Sequence, residues 1–319
     1  MRHKPLGTTN LQVSSIVFGG WQAGKQYWVG VDDEETVAAH RAALDAGITT
    51  FDTAEEYGDG HSERILGRAL AGRRGEIVIC TKVSWNNLRR EKVRQACERS
   101  LRNLGTDVID LYQIHWPAGT FGSEVVPIEE TMGALLDLKA QGKIRAIGVS
   151  NFSLAQLRAA SAVGRVDAIQ PCYSLFFRHF ERETLAHCER EKITVLAYSP
   201  LAQGLLTGRF RRGTTFPEGD NRRDNKLFQG ETFERALAAL DALSPIADRL
   251  GITLGQLALA WLVHRPYTVA IAGARDPAQA TSNAAAGDVT LSQADWEEVD
   301  RIGWTVARPL LDDPMMWDW

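Results

Sequence analysis

The segment EIVICTKVSWNNLRREKVRQACERSLRNLGTDVIDLYQIH (76–115) decides the architecture. It opens on an apolar, β-rich run, EIVICTK (76–82), and closes on another, VIDLYQIH (108–115). Both have the length and composition of strands buried on two faces. Between them Val93, Ala96, Cys97, Ser100, Leu101 and Leu104 recur at i, i+3 and i+4 while Arg and Glu fill other positions, which predicts an amphipathic helix. Gly105 follows the last of these and suits the left-handed position that ends a helix. A strand, a crossover helix and a second strand make the unit that sets two strands parallel.

Outward from this segment the unit repeats. Strand-like runs also begin near 16 (IVFGG), 48 (ITTFD), 143 (KIRAIGVS), 167 (DAIQP), 193 (ITVLAYS) and 268 (TVAIAG), and Gly47, Gly72, Gly142 and Gly164 stand where other helices should stop in the left-handed conformation. Eight such strands predict a closed (β/α)8 TIM barrel, with residues 1–319 as one domain of a size such barrels reach alone. Two segments break the rhythm. PLGTTNLQVSS (5–15) reads as a β-hairpin turning near Thr-Asn, placed before the first barrel strand and able to plug the barrel's bottom. Between Ser199 and FERALAALDAL (233–243) lies a glycine- and arginine-rich stretch longer than ordinary loops, and it follows the seventh strand. The tail WTVARPLLDDPMMWDW (304–319) is aromatic enough to fold over the barrel mouth.

A chain of 319 residues that is 44% hydrophobic has ample material for a large core. A net charge of −4 gives no reason to expect nucleic acid or an anionic membrane as partner. MRHKPLGTTN lacks the apolar core of a signal peptide, and no stretch approaches the roughly 18 apolar residues of a membrane span, so the expected location is cytoplasmic. The four cysteines show no metal or disulfide spacing and are expected to be reduced.

Parallel strands of one sheet end on one face, where α/β proteins build their sites. Asp52 and Lys82 end their runs, His115 ends another, and Tyr57 lies five residues past Asp52. Each alone reads as an ordinary structural residue; together they look like a proton-delivery site. Glu55 and Glu56 read as solvated loop acids, and Cys172 as a small packing residue.

FDTAEEYGDGHSERILGRAL (51–70), TKV (81–83), QIHWP (113–117), IRAIGVSNFS (144–153), YSPLAQGLLTGRF (198–210) and IAGARDPAQATSN (271–283) together resemble the aldo-keto reductase superfamily almost end to end. The resemblance implies reduction of aldehydes or ketones by direct hydride transfer from NADPH, with NADH second and no metal. It makes Tyr57 the proton donor, Lys82 the charge that acidifies the phenol, Asp52 the support of that lysine, and His115 the donor that orients the carbonyl. No GxGxxG follows a strand, so the nucleotide site is expected on the loops after strands seven and eight, with Ser199, Leu201, Gly204, Leu205, Arg209, Gly273 and Arg275. The resemblance puts Ser150, Asn151 and Gln170 on the nicotinamide carboxamide, Tyr198 against its ring, and Gln279 and Asn283 near the adenine. Arg275 is assigned to the 2′-phosphate, because a guanidinium matches phosphate geometry. Trp21, Tyr27, Trp28, Trp116, Trp317 and Trp319 either line an apolar substrate mouth or pack the barrel. The expected partner is a small carbonyl compound. Some superfamily members are potassium-channel β subunits with marginal turnover, which stands as the alternative. Physiological substrate, favoured direction and oligomeric state stay open.

Overall fold

The structure, a computed structural model, describes residues 1–26 and 28–317. Tyr27 and Trp319, both read above as lining the mouth or packing the barrel, lie outside the described residues. The chain begins with an antiparallel hairpin of β1 (His3–Pro5) and β2 (Gln12–Ser14). Strand β3 (Ile16–Gly19) then starts the alternation: α1 (Asp33–Asp45), β4 (Thr50–Asp52), α2 (His61–Ala69), β5 (Val78–Val83), α3 (Arg90–Leu104) and β6 (Ile109–Ile114). It continues through α4 (Ile128–Ala140), β7 (Ile144–Ser150), α5 (Leu154–Val163), β8 (Ala168–Gln170), α6 (Thr184–Glu191) and β9 (Thr194–Tyr198). Two helices, α7 (Gly230–Leu250) and α8 (Leu254–Val263), precede β10 (Thr268–Gly273), and α9 (Pro277–Ala285) and α10 (Gln293–Ala307) complete the ring. Strands β3 to β10 pair in parallel and close, β10 against β3, into the eight-stranded barrel that the sequence predicts.

Side-chain alternation explains where everything sits. The outward residues of the strands pack on the helices; α3 buries the six positions its periodicity predicts. The inward residues Val17, Cys80, Leu111, Ala146, Ala168, Leu196 and Val269 form a separate apolar cluster, and Leu6 and Val13 of the hairpin, both fully buried, complete it from below. The hairpin therefore plugs the barrel. Two residues further along the same strands the inward positions turn polar, with Lys82, Gln113 and Gln170, all buried.

Gly47, Gly72, Gly105 and Gly142 hold positive φ as expected, but Gly164 does not. Its φ of −169° is extended backbone, and a Cβ there would lie 3.0 Å from the Leu136 side chain. Close packing, not handedness, favours glycine at that position.

The long stretch after β9 has its own small core. Phe210, Phe216 and Phe228 contact one another edge-on, with centroids 5.0–5.6 Å apart. Asn225 pairs with Trp317, and Met316 and Trp317 are buried, so the tail does fold back toward the mouth. No single helix among the described residues is long and apolar enough to cross a membrane; α7 and α8 pass only as a pair bent by 86°. All four cysteines are buried and free.

Candidate active site

Strand β4 ends at Asp52 and β5 carries Lys82 on its inward face, so an acid and a base enter the barrel core side by side. The Lys82 ammonium donates to Asp52 Oδ1 at 2.6 Å and to the Thr53 carbonyl at 2.7 Å, and lies 3.4 Å from the Tyr57 hydroxyl. The lysine is 0% exposed. Burial works against its charge, but the Asp52 carboxylate and Tyr57 outweigh it and hold the Lys82 pKa above its ordinary value.

Asp52 has two further partners. Its Oδ2 accepts from Gln170 Nε2 at 2.9 Å and from Gln113 Nε2 at 3.3 Å. Gln113, which sequence reasoning passed over, is fully buried between Leu111 and His115 on the inward face of β6. Gly148 on the neighbouring β7 makes room for it: a Cβ there would come within 2.8 Å of Gln113 Cγ. The same bond occupies the Gln170 amide nitrogen, which the resemblance assigns to a carboxamide.

The Tyr57 ring stands edge-on to His115 at 5.5 Å. Burial raises the Tyr57 pKa, and the positive charge of Lys82 only partly offsets it. Lys82 thus acts on the phenol in the acidifying direction that the sequence reading gave it, but burial outweighs it and the phenol stays protonated past neutrality; the depth of burial around the hydroxyl is not visible in a sequence. His115 is driven the other way. Burial and the Lys82 charge hold its pKa well below the usual imidazole value, so it is neutral, and its Nδ1 has no hydrogen-bond partner among the described residues.

A cleft of about 830 Å³ opens above this group. Asp52, Tyr57 and His115 lie at its floor, with Lys82 behind them. Its walls carry Ser150, Asn151, Gln170, Tyr198, Ser199, Leu201, Gly204, Arg209, Gly273, Arg275, Gln279 and Asn283, and also Trp21, Trp28, Trp116 and Trp317. Leu205, fully buried, is not among the residues that line it. Asn151 donates to the His115 carbonyl at 3.1 Å and accepts from the Tyr198 hydroxyl at 2.8 Å, linking three strand ends. Non-glycine residues at positive φ gather here, namely Asn151, Ser199, Ala202 and Gln203, a strained backbone of the sort that tends to collect at binding sites. At the far end Arg209, Arg222 and Arg275 converge. Arg222 is chelated by Asp220; Arg209 and Arg275 form no ion pair with a carboxylate among the described residues. Burial lowers the pKa of both, and the Arg222 charge lowers it further. This end of the cleft is therefore strongly electropositive. Arg275 also stacks on Trp28 at 5.2 Å, which places Trp28 at this end as well as against Trp21. Gln279 accepts from the Arg275 N–H and donates to Asp276, and Asn283 donates to the Gly273 carbonyl, so both shape the turn before α9.

The loop acids are not solvated as the sequence suggested. Glu55 is buried and accepts from Ser84 N, Asn87 Nδ2 and Arg99, at 2.8–2.9 Å. Glu56 is half-buried and lines the cleft. Trp85 and Phe121 also line it, and neither was marked by any periodicity.

A model of the aldo/keto reductase family matches residues 15–303. The chain is 37% identical to the aldo-keto reductase YhdN of Bacillus subtilis, covering 99% of this chain and 96% of that one, and 36% identical to the NADH-specific methylglyoxal reductase of Escherichia coli, covering 92% and 96%. Among solved structures it superposes on the glycerol dehydrogenase AKR11B4 from Gluconobacter oxydans with a TM-score of 0.87 at 35% identity, covering 99% of each chain. It also superposes on an aldo-keto reductase from Klebsiella pneumoniae in complex with NADPH, at 0.77, 32% and 100% of each.

Proposed function

Since the chain belongs to the aldo-keto reductase family, we infer that it is an NADPH-dependent reductase of aldehydes and ketones, reversible, with Tyr57 as general acid. The observation that carries this reading is the junction of two features in one cleft. A protonated phenol held by a buried ammonium lies at the floor, and Arg209 and Arg275, without carboxylate partners among the described residues, lie at the end where a dinucleotide's phosphates would rest.

When bound, the reduced nicotinamide supplies a hydride to the carbonyl carbon. Ser150 and Asn151 would hold its carboxamide, and Tyr198 would pack against its ring. Ser199, Leu201, Gly204, Arg209 and Gly273 would surround the phosphates, with Arg275 on the 2′-phosphate and Gln279 and Asn283 at the adenine side. Negative charge grows on the carbonyl oxygen as the hydride arrives. Neutral His115 donates a hydrogen bond to that oxygen, and Tyr57 delivers its proton to it. Lys82 stabilises the phenolate that remains, and Asp52 keeps the lysine charged and aimed. An NADPH complex in one structural neighbour supports the cofactor choice, and an NADH-specific relative makes the nicotinamide preference a quantity to measure.

Tyr57→Phe tests the assignment. It keeps the ring and removes the proton, so reduction of a simple aldehyde followed at the nicotinamide absorbance should fall by roughly 10²–10⁴ while NADPH binding persists. Turnover close to wild type would remove Tyr57 from the chemistry. Tight NADPH binding by the wild type without turnover would favour the regulatory-subunit alternative.

A further inference from the structure

One acid in the cleft has no part in the hydride chemistry. Glu56 is half-buried on the cleft wall, and its Oε2 accepts from the Ser84 hydroxyl at 3.0 Å, which fixes it beside Trp85. Burial raises its pKa, and the charges that act on it, Glu55 and Asp59, are both negative. The cations of this region are engaged elsewhere, Arg99 with Glu55 and Lys82 with Asp52. Glu56 is thus a partly desolvated carboxylate without a cationic partner among the described residues, an arrangement that costs free energy unless something else supplies the charge.

The surfaces next to it have the opposite preference. Trp85 lies 6.0 Å from the His115 ring and 5.1 Å from Phe121, and Phe121 lies 5.2 Å from Trp116. All line the cleft with Glu56, on the loops after β4, β5 and β6, whereas Arg209 and Arg275 stand on those after β9 and β10. Phe121 is 56% exposed and sits at φ 55°, a conformation that a bulky residue seldom adopts, so the turn holds the ring out for contact. Aromatic faces attract cations and an unpaired carboxylate neutralises them; neither favours an anion.

We propose that the substrates of this site are aldehydes and ketones that carry a cationic group, an alkylammonium or a charged nitrogen heterocycle, about one ring's length from the carbonyl, held by Trp85, Phe121 and Trp116 and paired with Glu56. This rests on the carbonyl-reductase reading above. The carbonyl meets Tyr57 and His115, and the cation lies one aromatic contact further out.

Three benzaldehydes of one frame test it with the full chain and NADPH: 4-(trimethylammonio)-, 4-tert-butyl- and 4-carboxybenzaldehyde. The first two share a shape and differ by one charge. Their substituents also change the intrinsic reactivity of the carbonyl, so the deciding quantity is how the cation-to-neutral ratio of kcat/KM changes between wild type and Glu56→Gln, where that reactivity cancels. The ratio should fall at least fivefold, chiefly through KM, and the carboxylate substrate should gain on the neutral one. Phe121→Leu, at an exposed position where folding is not at stake, should lower the same ratio by removing a π face while keeping apolar contact. A ratio unmoved by Glu56→Gln, or by Phe121→Leu should the first variant not fold, overturns the inference while turnover of the neutral aldehyde keeps the reductase reading intact. Failure of all three aldehydes to oxidise NADPH refutes the reductase reading and this inference with it.

Discussion

Asp52→Asn removes one charge with almost no change of shape, and its cost follows from the contacts. The carboxylate accepts from Lys82 at 2.6 Å, Gln170 at 2.9 Å and Gln113 at 3.3 Å, and the ammonium it balances is 0% exposed. Asparagine keeps an oxygen for Lys82 but turns an NH2 toward two glutamine amides, which must flip to accept from it. The charge is simply lost. Removing one partner of a buried ion pair costs about 3–5 kcal/mol. For 319 residues the unfolding entropy is about 0.7 kcal/mol per degree, so the melting temperature should drop by about 4–8 °C. The pH dependence separates lost charge from lost packing. In the wild type the folded pKa of Lys82 lies above its unfolded value near 10.5, so its stabilisation is complete below that value and is lost only as pH rises through the folded pKa. In the variant burial acts without Asp52 to oppose it, and the folded pKa falls below the unfolded one. The folded state then binds fewer protons between the two values, and stability rises with pH across that window. Thermal melts followed by circular dichroism at pH 7 and pH 9.5 should therefore show the deficit of the variant shrinking at the higher pH. A deficit equal at both would refute the claim that Asp52 keeps Lys82 charged.

Arg275→Ala should weaken NADPH binding tenfold to hundredfold, about 1.5–3 kcal/mol for a charged hydrogen-bonded partner, and leave NADH nearly untouched; fluorescence titration of both cofactors measures it. Equal losses would mean that Arg275 only shapes the turn before α9, and no selective loss would shift the 2′-phosphate contact to Arg209. His115→Ala should lower kcat/KM by different factors for small aldehydes and bulky ketones, because a neutral imidazole that orients the carbonyl matters most where the substrate is otherwise loosely held. A uniform small loss across a substrate panel would mark it as a packing residue.

The period of 3.6 residues in α3 and the short apolar runs beside it were enough to read the barrel, because each helix buries one stripe and each strand is covered on both faces. What escaped the reading depends on neighbours distant in sequence. Glu55 looks like a loop acid until Ser84, Asn87 and Arg99 from two other segments close on it. Trp85 sits on a one-turn 3-10 segment and Phe121 in a tight turn with left-handed backbone, where no periodicity marks a buried or a cleft-facing side. The Tyr57 pKa turns on how much water the fold removes from the hydroxyl, a quantity set by the whole cleft. Gln113 is different, since its signal was present and unused. The two-residue alternation that sends Cys80 and Leu111 into the barrel sends Lys82 and Gln113 there one step later, and continues to His115. A polar residue in phase with buried apolar ones, near the C-terminal end of a parallel strand, must find a partner inside the barrel. In this barrel the site is the continuation of the core along the same inward face, at the level where the hairpin plug ends and side chains must satisfy one another.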